Sequence, residues 1–208
     1  MTGPVTGRDE GQPLVEFLHV MRRLRAECPW KASQTHRSLA RYLLEETHET
    51  LEALDTGDTE HLREELGDLL LQVYFHAVIA EESGHFDLDD VTRDITEKMV
   101  RRNPHVFGDG EPSNDATAVN EAWEAIKATE KDRSSVTDGL PPTLPALLYA
   151  DKVLDRLARQ GAAVDTTGDD LGDRLLGLVA EARAEGRDPE QALRDAVRRR
   201  VERTDGQP

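Results

Sequence analysis

From Leu14 onward, apolar and polar positions alternate along the chain with the period of an α-helix. Leu14, Leu18 and Met21, with Phe17, Val20 and Leu24 beside them, form one apolar stripe. It stops at Cys28-Pro29-Trp30, where proline removes a backbone donor and restricts the residue before it. A second helical run covers Leu39 to Leu54, with Leu43, Leu44, Leu51 and Leu54 apolar and Gly57 as its stop. The third, from Thr59 to Ser83, is the most apolar, so Leu62, Leu66, Leu69, Val73 and Ala77 predict a face at the centre of the core, closed by Gly84. Asp87 and Asp89 suit the cap of a fourth helix, in which Val91, Ile95 and Met99 recur every four residues before Asn103-Pro104 breaks it. Residues 108–117 read as a polar loop, Ala118 to Lys131 as a further helix, and 134–145, dense in Ser, Pro and Gly, as a linker.

This pattern predicts an all-α helical bundle. Its expected organisation is a disordered Gly- and Pro-rich segment at 1–13, a catalytic domain at 14–133, the linker, and a structural helical piece at 146–208. The last piece echoes the first domain. Leu66-Gly67-Asp68 followed by Gly84 finds a counterpart in Leu171-Gly172-Asp173 followed by Gly186, and Glu65 in Asp170, which suggests a truncated, degenerate second repeat.

Composition narrows the class. Aromatic residues make up only 4% of the chain, while Ala, Leu, Glu and Arg abound, a balance that favours helices. A formal net charge of −16 argues against a polymeric nucleic acid as ligand, because neutralising many phosphates takes a surplus of bases. It leaves room for a small anion, since one cation and a few local bases can reverse the field in a single cleft. Cys28 alone cannot make an internal disulfide, and no stretch has the length and apolarity of a signal peptide or a membrane span. The expectation is a soluble, cytoplasmic protein without a membrane partner.

The chemistry concentrates in two acidic runs, LLEETHETL with Glu45, Glu46 and Glu49, and REELGDLLL with Glu65 and Asp68. Positions three or four apart share a helix face, so Glu46 points with Glu49, and Glu65 with Asp68. Folded back to back around a turn at Asp55 to Thr59, the two helices would bring two carboxylate pairs together, where like charges repel unless a hard cation sits between them. Glu45 and Glu64 lie one helical step away and are equally served as surface carboxylates. The second repeat has no counterpart of the first acidic helix, so one metal site per chain is expected.

Bases cluster elsewhere. Lys98, Arg101 and Arg102 end the fourth helix, where the helix dipole alone favours cations, and Trp123 and Lys127 lie one turn apart on the next. Together they offer cations for phosphate oxygens and an aromatic face for a base, with His105 as a further donor. Two other classes fit fewer residues. A di-iron carboxylate bundle would use Glu45-x-x-His48 and Glu82-x-x-His85, but the second pair straddles Gly84. A non-catalytic nucleotide sensor would use the same site without turnover.

These motifs, with CPW at 28–30 and RRNPHVF at 101–107, resemble the MazG family of nucleoside triphosphate pyrophosphohydrolases over residues 14–160. The resemblance implies an all-α fold that dimerises through its helices. It also implies Mg²⁺-dependent hydrolysis of NTPs and dNTPs to the monophosphate and pyrophosphate, with Mn²⁺ as a substitute ion and clearance of non-canonical or oxidised nucleotides as the role. Residue by residue, Glu46, Glu49, Glu65 and Asp68 match the family's magnesium ligands, and Glu45 or Glu49 is the candidate in the catalytic set to accept the water's proton. Lys98, Arg102, Trp123 and Lys127 match the family's nucleotide contacts, and Arg101 beside them is a further candidate for substrate binding. Family members commonly read CPWD, whereas Lys31 follows Trp30 here.

Overall fold

A computed structural model describes residues 11–108, 114–130, 134–166 and 168–205. All regular elements among them are helices, in the order α1 Gln12–Glu27, α2 Pro29–Ala32, α3 His36–Thr56, α4 Thr59–Glu82, α5 Leu88–Arg102, α6 Pro104–Phe107, α7 Ala116–Thr129, α8 Ala146–Arg159, α9 Leu171–Ala184 and α10 Pro189–Asp205. The disorder expected for 1–13 falls mostly outside the described residues; the first helix starts at Gln12, two positions earlier than its apolar stripe. The chain divides into two compact units between Ala125 and Ile126.

In the first unit, local chemistry fixes the α3–α4 hairpin that carries the acidic runs. Thr35 and Ser38 form a reciprocal capping box, with Ser38 N donating to Thr35 Oγ1 at 3.2 Å and Thr35 N to Ser38 Oγ at 2.9 Å, which extends α3 three residues ahead of its first leucine. Gly57 ends α3 at φ 72°, a left-handed conformation that suits glycine, and Asp58 then caps α4 by accepting from Glu60 N and His61 N at 3.0 and 3.1 Å. The turn is two residues long, so the helices run back antiparallel and in register. A capping box between Asp87 and Asp90 starts α5.

The core lies on one flank of this hairpin, where α1 packs on α4. Met21, Leu39, Tyr74, Phe75, Val78 and Ile79 are buried, with Phe17, Leu18, Leu24, Tyr42, Leu71 and Leu88 packed against them. Tyr74 keeps its hydroxyl bonded to Leu14 O at 3.1 Å. Of the apolar faces expected for the two acidic helices, Ala77 is buried and Leu51, Leu62 and Leu69 are half-buried, but five positions differ. Leu43, Leu44, Leu54, Leu66 and Val73 are exposed, and α3 instead buries Leu39, Thr50 and Ala53. The small Thr50 and Ala53 suit close approach to α4, while the leucine stripe faces away from the chain's own core.

In the second unit, α8, α9 and α10 pack on one another around Leu154 and Val179. Arg183 bridges Asp151 at 3.1 Å and also Asp155, tying α9 to α8. The echo between Leu66-Gly67-Asp68 and Leu171-Gly172-Asp173 joins unlike positions. The first lies inside α4, whereas the second opens α9, where Asp170 is the cap and accepts from Asp173 N at 3.0 Å. The acidic residues of the second run thus serve a helix start.

Candidate functional site

The antiparallel hairpin brings the acidic runs together. Glu46 and Glu49 of α3 and Glu65 of α4 each offer a carboxylate oxygen, and these oxygens lie within 4.8 Å of one another. Among the described residues this is the one group of three or more metal-ligating side chains so placed. Asp68 stands outside that closest set yet near enough for its charge to act on Glu46. Glu45 is exposed and does not join it. Burial first, then the charges of Asp68 and Glu49, a hydrogen bond with Glu49 and the charge of Glu65, push the Glu46 carboxyl above its ordinary range.

Glu65 supplies the sharpest feature. It is only 8% exposed, and while His61 Nε2 lies 3.1 Å from its Oε1, its Oε2 has no partner at all. A buried carboxylate oxygen without a donor is costly, and in a ring of carboxylates the natural remedy is a cation. Thr50 lies beneath, donating to Glu46 O at 2.8 Å and reaching Glu65 O at 3.5 Å, which fixes the two helices relative to each other. The donor set is all oxygen and carries formal negative charge, which suits a hard divalent cation. Among the described residues the converging set holds no histidine ligand, His61 touching only Glu65 from its edge, and His85 lies beyond the end of α4, so the Glu82/His85 pair of the di-iron alternative does not form on one helix.

The expected nucleotide contacts sit on later elements. Lys98, Arg101 and Arg102 occupy the C-terminal part of α5, which packs on α4, and the Arg102 guanidinium lies 4.9 Å from the centre of the Trp123 ring. Lys127 follows Trp123 by one turn on α7, past the division between the units. His105 lies in α6.

At the CPW turn, Arg25 donates to the carbonyls of Lys31, Ala32 and Gln34 and pairs with Glu82. Lys31 places its ammonium 5.4 Å from the Trp30 ring and 5.2 Å from the Phe75 ring. It therefore packs as a cation over two aromatic faces.

Several polar groups of the hairpin escape sequence reasoning. Thr50, Gln72 and the pair His36 and His76 all lie between α3 and α4 or along the same face of α4 as Glu65. Their signal was the three- and four-residue spacing from Glu65 through Asp68 and Gln72 to His76, hidden because the neighbouring leucines dominate the apolar count.

A family model for the MazG nucleotide pyrophosphohydrolase domain matches residues 34–107. The uncharacterized 26.1 kDa protein in the blaB 3′ region of Streptomyces cacaoi is 45% identical over 90% of this chain and 79% of its own length. A protein of Thermotoga maritima named nucleoside triphosphate pyrophosphohydrolase/pyrophosphatase MazG is 37% identical over 94% of this chain and 86% of its own. The solved structure of a mazG-related protein from Thermotoga maritima superposes with a TM-score of 0.48 at 26% identity, covering 55% of this chain and 98% of that one.

Proposed function

The chain belongs to the MazG nucleotide pyrophosphohydrolase family, and from that premise we propose that it hydrolyses nucleoside triphosphates, ribo- and deoxyribo-, to the monophosphate and pyrophosphate. The observation that carries this is the convergence of Glu46, Glu49 and Glu65 around an unpaired buried oxygen. Mg²⁺ held by these three, with Asp68 beside them, would neutralise the triphosphate and polarise the attacking water.

The chain's own residues then have defined tasks. Water attacks the α-phosphorus, the α–β bridging bond breaks, and pyrophosphate departs in line. Glu49, the exposed member of the set, accepts the water's proton, and His61 steadies Glu65 through the 3.1 Å contact between its Nε2 and Glu65 Oε1. Lys98, Arg101 and Arg102 stabilise charge on the phosphates, and Trp123, already faced by Arg102, packs against the base. The second unit carries no comparable carboxylate group among its described residues and acts structurally.

The proposed role is removal of damaged or surplus nucleotides, for which weak base selectivity is suited. The protein also acts as a dimer, supported by the exposed leucine stripe of the α3–α4 hairpin. No helix among the described residues is long and apolar enough to cross a membrane. The deciding experiment is product analysis with ATP, dGTP and oxidised dGTP in Mg²⁺. Pyrophosphate and monophosphate are expected from each; orthophosphate as the first product would overturn attack at the α-phosphorus.

A further inference from the structure

Polar residues continue along the α3–α4 seam beyond the carboxylates. On α4, Glu65, Asp68, Gln72 and His76 recur at three- and four-residue spacing and so share a face. That face is the one turned to α3: Glu65 O meets Thr50, Asp68 acts on Glu46, and His76 Nδ1 lies 2.7 Å from His36 Nδ1. Gln72 stands one turn, about 6 Å of rise, from both Asp68 and His76. It is 4% exposed, and its Oε1 has no partner. The Nε2 of His76 is likewise buried and unpaired.

Together with Glu65 Oε2, these make three unpaired polar atoms in file along one helix face, starting at the carboxylate cluster. An unpaired buried polar atom is costly, and leucine in place of Gln72 would remove the penalty without loss of volume. The order of chemistry along the seam is also directional. Anionic oxygens come first, then a neutral amide, then an imidazole that burial and the neighbouring His36 push below its ordinary pKa and so keep neutral. A nucleotide has the matching order, with a metal-bound triphosphate at one end and an uncharged hydrogen-bonding nucleoside at the other.

Resting on the activity proposed above, we infer that Gln72 and His76 form the nucleoside-reading end of the substrate site, Gln72 Oε1 accepting from a base N–H or a ribose hydroxyl. The stacked rings of His36 and His76, 5.0 Å apart and within 6° of parallel, bring their Nδ1 atoms to 2.7 Å, a hydrogen bond in which one of the two carries the proton and the other accepts it. Whichever ring keeps it decides whether His76 Nε2 donates or accepts. A carboxamide also offers both polarities, so the pair can greet bases with opposite hydrogen-bonding edges, a physical basis for weak base discrimination.

The test compares nucleotides with inorganic tripolyphosphate, which presents the phosphates without a nucleoside. In the full-length protein, Gln72→Leu should raise KM for nucleoside triphosphates about tenfold, the loss of one buried hydrogen bond to substrate. The inhibition constant of tripolyphosphate should stay within about twofold, because phosphate binding is untouched. The melting temperature should hold or rise, since an unpaired buried amide has been replaced by an apolar group. Gln72→Met serves as a second, unbranched replacement, and His76→Phe, which keeps the stacked ring, should alter the rank order of bases.

A loss confined to ribonucleotides identifies the 2′-hydroxyl as the donor, and one that varies with the base identifies the base edge; either upholds the inference. Equal weakening of nucleotides and tripolyphosphate, or weakening of neither, overturns it. Should the wild-type protein release no pyrophosphate, the activity proposal fails by itself. The same comparison made by calorimetric dissociation constants still decides the role of Gln72.

Discussion

Glu46 is where the site's electrostatics are most exposed to measurement. Its carboxyl is raised above the ordinary glutamate range, so the folded protein holds that proton more tightly than the unfolded chain does. The sign follows: the stability associated with this proton is fully present below the unfolded value and is lost as pH rises through the raised folded value. Metal-free protein should therefore lose stability on passing upward from the ordinary glutamate pKa of 4.5. Added Mg²⁺ should restore it at neutral pH, by about 2.7 kcal/mol at a concentration a hundred times its dissociation constant. Glu46→Gln should raise the metal-free melting temperature and remove most of the Mg²⁺ increment. Thermal unfolding with and without the ion checks both, and an undiminished increment in the variant would place the ion elsewhere. Glu46, Glu49 and Glu65 were legible from the sequence because helical spacing alone put each on a predictable face. Gln72, Thr50 and the His36–His76 pair were not, because what makes them notable is a missing or distant partner, and that depends on how α3 and α4 lie together.

Among the elements, the most instructive is the turn between α1 and α3. It has little apolar area of its own, and Trp30 and Ser33 are exposed. Polar side-chain contacts hold it instead. Arg25, with its side chain only 9% exposed, satisfies three carbonyls of residues 31–34 and ties them to Glu82 on α4. Arg25→Leu leaves those carbonyls and Glu82 without their donor, and the expected cost is roughly 2–4 kcal/mol in urea unfolding. Amide exchange should quicken at residues 31–34 before the centre of α4 responds; a loss below about 0.5 kcal/mol, the level of an ordinary surface change, would show that the turn is held otherwise. Helix existence and order were readable from period and punctuation, down to Gly57 as the stop of α3. The beginnings were less so. Caps at Thr35 and Gly11 start α3 and α1 ahead of their apolar stripes, since a cap is set by backbone donors and not by hydrophobicity.

For the molecule as a whole, Leu66 and Val73, read as core, turn out to be surface of the single chain. Leu66, Leu70 and Val73 recur along one flank of α4 at 51%, 37% and 44% exposure, and Leu54 of α3 at 55%. The period was right, and Ala77 is buried as expected, but Leu66 and Val73 of the same face are not, because an apolar helix face predicts that something covers it and does not say whether that is the same chain. The core on the other flank is already filled by α1. A second copy pairing its hairpin on this one would bury the stripe twice over under two-fold symmetry, each leucine contributing about 1.5–3 kcal/mol if fully covered. Leu66→Asp and Val73→Asp should therefore give a monomer by light scattering while circular dichroism keeps its helical signal. They should also lower the melting temperature in a way that protein concentration no longer modulates, because assembly has ceased to be linked to folding. If these variants keep the wild-type mass, the hairpin flank is not the dimer face. Since α3 and α4 carry both the stripe and the carboxylates, loss of the dimer should reach the site as well. Mg²⁺ affinity in the monomeric variants should fall although no ligand has been touched, a coupling that calorimetry with the ion alone can measure.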